Sequence, residues 1–145
     1  MKAINPYLNF NGNCEEAFNF YKSVFGGEFA MLMRFKDIPA GEMDPEHELP
    51  DSEGQKIMHV SLPVGQSTIL MGSDVPSVMG TVQNGSNFAI AISTDSEAET
   101  DEIFNGLSAG GQVTMPLDKV FWGSYFGMLT DKFGIQWMVS YDYNQ

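Results

Sequence analysis

EEAFNFYKSVFGGEFAM, residues 15–31, can be set above ETDEIFNGLSAGGQVTM, residues 99–115, at a constant offset of 84. Phe20 then meets Phe104, Gly26 and Gly27 meet Gly110 and Gly111, and Met31 meets Met115. Self-similarity at a fixed spacing marks a repeated supersecondary unit. Each segment reads as an amphipathic helix, a Gly-Gly stop and a strand. In the first, Ala17, Phe20, Tyr21 and Val24 recur at helical spacing, while Glu15, Glu16, Asn19 and Lys22 take the wet side. In the second, the apolar stripe is Ile103, Phe104 and Leu107. Asn13 with Glu16, and Ser96 with Glu99, have the spacing of capping boxes. The glycine pairs supply the left-handed backbone that ends each helix.

Strands flank both helices. PYLNF (6–10) precedes the first, with Tyr7 and Asn9 alternating against Leu8 and Phe10; NFAIAIS (87–93) precedes the second, with Phe88, Ile90 and Ile92 on one face. EFAMLMRF, KIMHVSLPV and STILMGS follow the first helix, and QVTMPLDKV, SYFGMLT and IQWMVSY follow the second. Each half thus reads strand–helix–strand–strand–strand. The fold class is α+β, with tandem βαβββ modules over about 1–80 and about 81–145 of a single domain. Gly65, before the last strand of the first half, corresponds to Gly134, an offset of 69. The first half therefore carries an insertion of about fifteen residues, seen as the acidic, proline-rich KDIPAGEMDPEHELPDSEG (36–54). It reads as a lid over a cleft or as a solvated excursion.

Composition narrows the function. The formal net charge is −12, with only seven lysines and arginines. Neither a nucleic acid nor an anionic membrane is expected as a partner. No apolar run approaches the roughly 18 residues of a membrane span, MKAINPYLNF has no signal-peptide apolar region, and Cys14 is the only cysteine. A reducing, cytoplasmic compartment is the expectation. No GxGxxG after a strand, Walker A sequence or GxSxG occurs, so no nucleotide cofactor is expected.

PYLNFNGNCEEAFNFYKSVFGG, IMHVSLPVGQSTILMGSD and MPLDKVFWGSYFGMLTDKFGIQW, in this order, resemble the glyoxalase/bleomycin-resistance/extradiol-dioxygenase group, the vicinal oxygen chelate superfamily, and in particular its PhnB-like branch. The resemblance spans nearly the whole chain. It implies a curled mixed sheet in each module, the two forming a concave cup, and commonly a homodimer. In metal-dependent relatives the first and last strands of each module supply His or Glu ligands to a Lewis-acid metal. Here those positions fall at Asn5, Pro6 or Tyr7, at Leu70, at Asn87, Phe88 or Ala89, and at Met138 with Gln136 beside it. None carries an imidazole or carboxylate, so no metal is expected. Some relatives are labelled ubiquinone-pathway methyltransferases, but the nucleotide-binding loop such chemistry needs is missing from this chain.

Other donors are few. His47 lies in the acidic loop with Asp44, Glu46, Glu48 and Asp51, without EF-hand spacing. His59, in IMHVSLPV, is either a structural histidine or a pocket acid/base, and it is the candidate catalytic residue. Cys14 reads as a packed thiol. In FWGSYFGMLTDKFGIQW (121–137) and its continuation MVSY (138–141), strand parity puts Tyr125, Gly127, Leu129, Trp137 and Val139 on one face. Phe126, Met128, Thr130, Gln136 and Met138 take the other, and Trp137, Val139 and Phe133 are core candidates. Trp122, at a strand entry, either caps a cavity mouth or packs between modules. The candidate ligand-binding set is Tyr7, Asn9, Arg34, Leu70, Trp122, Tyr125, Gln136 and Met138. Arg34 is included because its guanidinium can pair a substrate carboxylate. The expected function is a metal-free pocket for a small, partly apolar molecule. The alternative is a lyase, isomerase or dioxygenase-type enzyme using His59.

Overall fold

The computed structural model describes residues 1–39, 42 and 49–144. His47, Asp44, Glu46 and Glu48 lie outside the described residues. The chain divides into two compact units, Met1–Gln83 and Asn84–Gln145. Unit one contains β1 (Tyr7–Phe10), α1 (Cys14–Phe25), β2 (Met31–Arg34), β3 (Ile57–Val64) and β4 (Thr68–Asp74). Unit two contains β5 (Ile90–Ser93), α2 (Glu97–Ser108), β6 (Gln112–Val120), β7 (Ser124–Thr130) and β8 (Gln136–Asp142). Both are βαβββ modules with one sheet order, β1-β4-β3-β2 and β5-β8-β7-β6. The first strand of each runs parallel to the last, and the other pairings are antiparallel. Among the described residues no helix is long and apolar enough to cross a membrane.

Each helix covers one face of its sheet. On α1 the buried stripe is Cys14, Ala17, Phe18 and Tyr21, an i, i+3, i+4, i+7 pattern. It is rotated from the expected one, for Phe18 rather than Phe20 is fully buried. The reason is Gly72 on β4, where a Cβ would sit 2.6 Å from the Phe18 ring. A missing side chain there admits the aromatic ring. Unit two repeats the device: a Cβ on Gly127 of β7 would lie 2.7 Å from the ring of Phe104. Thr100, Phe104 and Leu107 form the buried stripe of α2. Trp137 and Val139 are buried in this core, with the Trp137 indole donating to Asp131 Oδ2 at 2.8 Å; Phe133 is half-buried.

The helix starts differ. Ser96 caps α2 as expected, its side chain accepting from Glu99 N, while Glu99 accepts from Asp95 N. Asn13 makes no side-chain cap bond. The buried Asp74, at the end of β4, takes its place. Its Oδ1 accepts from Gly12 N and Cys14 N, and its Oδ2 from Ile57 N. A residue sixty positions away in sequence thus satisfies donors that a local cap would have served.

Candidate functional site

Strand register defines the face that each module turns away from its own helix. In unit one Leu8 pairs with Gly72 and Val60 with Gly72, all on the helix side. Tyr7 pairs with Met71, Ser61 with Met71, Met31 with Ser61, and Met33 with His59, all on the helix-free side. The helix-free face therefore presents Met31, Ser61, Met71 and Tyr7 as one row, with Met33 and His59 in the next. In unit two the row is Met115, Met128, Met138 and Ala91, followed by Asp118, Phe126, Ser140 and Ser93. Six of the ten methionines lie on these two faces.

Tyr7 and His59 meet. The Tyr7 hydroxyl is 3.4 Å from His59 Nδ1, and the rings are 5.8 Å apart with a 35° tilt. Asn9 lies on the same face as Tyr7, two residues along β1, and is exposed. Trp122 sits in the turn between β6 and β7, 54% exposed, and packs edge-on against Phe126 with ring centroids 5.6 Å apart. Phe121 before it is 97% exposed. Met138 is half-buried beside Met128.

Four of the candidate residues are committed elsewhere. Leu70 points into the helix-side core, only 1% exposed and paired with Leu62. Its neighbours Ile69 and Met71 occupy the helix-free face instead, since adjacent strand residues point oppositely. Tyr125 also faces the helix: its hydroxyl donates to Asp101 of α2 at 2.6 Å, and that bond, with partial burial, pushes its pKa up to about 12. Arg34 already has a bidentate carboxylate partner, Glu15 of α1, at 3.0 and 2.6 Å, and donates to Gln55 O as well. The bond raises the Arg34 pKa and lowers that of Glu15. Gln136 uses its amide to hold the segment before β5, donating to Gly85 O and Phe88 O.

The first- and last-strand positions do not fit a hard divalent ion. On the helix-free faces they hold Tyr7, Asn9, Ile69, Met71, Ser73, Ala91, Ser93, Gln136, Met138 and Ser140. Among the described residues no three His, Cys, Asp or Glu side chains gather as such an ion requires. Of the six methionines in these rows, only Met128 and Met138 were placed from the sequence. Their signal was present in the alternation of Met31 and Met33 along one strand and in Met115, Met128 and Met138 on three successive ones.

Known proteins resemble this chain in sequence or in fold. Protein YjdN of Escherichia coli K12 is 29% identical over 140 residues, covering 94% of this chain and 93% of its own. Among solved structures, protein PA1353 from Pseudomonas aeruginosa is 42% identical, with a TM-score of 0.83 and 96% of each chain covered. The PhnB protein from Bacillus cereus, provisionally named a 3-demethylubiquinone-9 3-methyltransferase, is 25% identical with a TM-score of 0.69, covering 95% of this chain and 98% of that one. Residues 3–139 match the family model of the Glyoxalase/Bleomycin resistance protein/Dioxygenase superfamily. Two βαβββ modules of one sheet order, and a family match running through both, make the conclusion plain: the chain belongs to the glyoxalase/bleomycin resistance protein/dioxygenase superfamily.

Proposed function

We propose that this protein binds a small, partly apolar molecule on the helix-free faces of its sheets and needs no divalent metal to do so. The observation that carries the reading is the make-up of those faces. Strands favour β-branched side chains, yet these faces use methionine at six positions. Methionine is flexible and polarizable, suits irregular ligands, and makes favourable contacts with aromatic rings. Trp122, packed edge-on against the buried Phe126, adds aromatic surface in unit two, while Tyr7, Asn9 and His59 add polar handles in unit one. One buried, unpaired cysteine fits a reducing cytoplasm.

A thermal-shift screen of metabolites in the presence of EDTA tests the proposal. At least one compound is expected to raise Tm, with affinity about two- to tenfold weaker in Tyr7→Phe, the range for one lost hydrogen bond. A library that leaves Tm unmoved, with no line broadening in ligand NMR, would refute it. A homodimer is the proposed assembly, with β6, an edge strand exposing Val113 and Met115, as its surface. A monomer in analytical ultracentrifugation would overturn that part.

The Tyr7–His59 contact favours one further reading, an enzyme of lyase, isomerase or dioxygenase type with His59 as acid/base. Under it, His59→Ala abolishes turnover of a found substrate while the fold is retained. Unchanged turnover removes His59 from the chemistry.

A further inference from the structure

We propose that His59, Met33, Met31 and Met71 form a binding site for a soft monovalent cation of the Cu(I) class on unit one. The site does not depend on the organic ligand proposed above. It also differs from the superfamily's first- and last-strand sites, because its nitrogen comes from the third strand of the module.

Register places Met33 opposite His59 and Met31 and Met71 at its diagonals on the same face. Met33 is the direct partner of His59 across β2 and β3. Met31 and Met71 pair from opposite sides with Ser61, the next residue along that face from His59. In an antiparallel pair, direct partners have Cβ atoms about 4.5–5.5 Å apart, and diagonal neighbours lie within reach of long side chains. Methionine, with three rotatable bonds, is such a side chain. Three thioethers beside one imidazole favour soft Cu(I) over hard Mg²⁺ and Ca²⁺, and over Zn²⁺, which takes thiolate, imidazole or carboxylate donors.

The hydrogen bond to Tyr7 supplies the second, independent observation. The Tyr7 hydroxyl meets Nδ1 of His59, and among the described residues nothing bonds Nε2. A ligating histidine has its other ring nitrogen held in this way, which fixes the tautomer and aims the free nitrogen. With Nε2 on the ion, Nδ1 keeps its proton and its N–H donates a hydrogen bond to the Tyr7 oxygen. The face is reachable by an ion, for Met31 is 52% and Tyr7 44% exposed. A net charge of −12 raises the local cation concentration. The Met115–Met128–Met138 row of unit two has no such histidine, so it serves as an internal control.

The test uses Ag(I), a redox-inert stand-in, in native mass spectrometry, and Cu(I) in anaerobic competition with bicinchoninate. One ion per chain is expected, undisplaced by excess Zn(II). Met33→Leu and Met71→Leu are nearly isosteric and keep the fold; each should weaken binding about tenfold or more, and Tyr7→Phe about tenfold. His59→Ala should abolish stoichiometric binding, while Met128→Leu and Cys14→Ser bind as the parent does. The proposal is overturned by substoichiometric loading, by parental affinity in both Met33→Leu and Met71→Leu, or by loss of the ion in Cys14→Ser or Met128→Leu. If His59→Ala does not fold, the two leucine variants decide the matter.

Discussion

Cys14 occupies the first turn of α1 with no solvent exposure. Burial, then the charges of Asp74 and Glu15, push its thiol well above the ordinary range. A thiolate is the reactive form, so native protein at pH 8 should leave a disulfide reagent such as DTNB unreacted, and one thiol per chain should appear on unfolding. Prompt reaction of the folded protein would contradict this placement. Tyr125 gives a pH signature of opposite use. A tyrosine ordinarily ionises near 10.0, while the bond to Asp101 holds this one to about 12. The folded state therefore keeps a proton that the unfolded state has lost. Stability from this hydroxyl is complete below pH 10 and disappears as pH rises through 12. Tyr125→Phe should be less stable at neutral pH by about 1 kcal/mol, and its denaturation midpoint should fall less steeply between those pH values. Parallel curves for parent and variant would show that the bond does not form in solution.

At the scale of elements, the two helix starts make a matched pair. Ser96→Ala removes a formed cap and should cost about 1 kcal/mol. Asn13→Ala removes none and should cost less than about 0.5 kcal/mol. Asp74→Asn leaves three backbone N–H groups facing a side chain that is half donor, and should cost about 2–4 kcal/mol. Urea denaturation checks all three, and an Asn13 effect as large as that of Ser96 would refute the assignment. Both capping patterns were legible locally, yet only the Ser96 side-chain cap formed. A sequence window cannot see an acceptor delivered by a strand sixty residues on. The strand faces show a similar limit. Tyr7 pairs with Met71, and Ala91 with Met138, so Met71 and Met138 are equivalent, an offset of 67. Matching Leu70 to Met138 is one residue out, and a one-residue slip inverts the face of a strand. The hairpins caused it: Val64 pairs with Thr68, but Thr130 pairs with Gln136. Loops of different length break an alignment that glycines alone anchor.

On the scale of the molecule, the repeat carried the fold because helix, glycine stop and following strand keep a constant spacing in both halves. Strand parity likewise sorted the aromatic stretch and the residues just after it, 121–139, sending Trp137 and Val139 to the core and Phe126, Met128 and Met138 to the helix-free face. The pairing of Arg34 with Glu15 was not legible, since it joins elements whose approach only the folded sheet sets. Gly72→Ala tests that approach: its Cβ would meet the Phe18 ring at 2.6 Å and Leu8 O at 2.9 Å. The expected loss is about 1–3 kcal/mol by overpacking, read as a lower urea midpoint; a neutral result would mean α1 sits farther from β4. The central claim is that the methionine-rich faces are where a small molecule binds. NMR of methyl-labelled methionine during titration with compounds from the thermal-shift screen tests it most directly. Shifts should fall among Met31, Met33, Met71, Met115, Met128 and Met138, with the exposed Met1 and Met79 unmoved. A compound that binds while those six signals stay still, or moves only Met1 and Met79, would contradict the account.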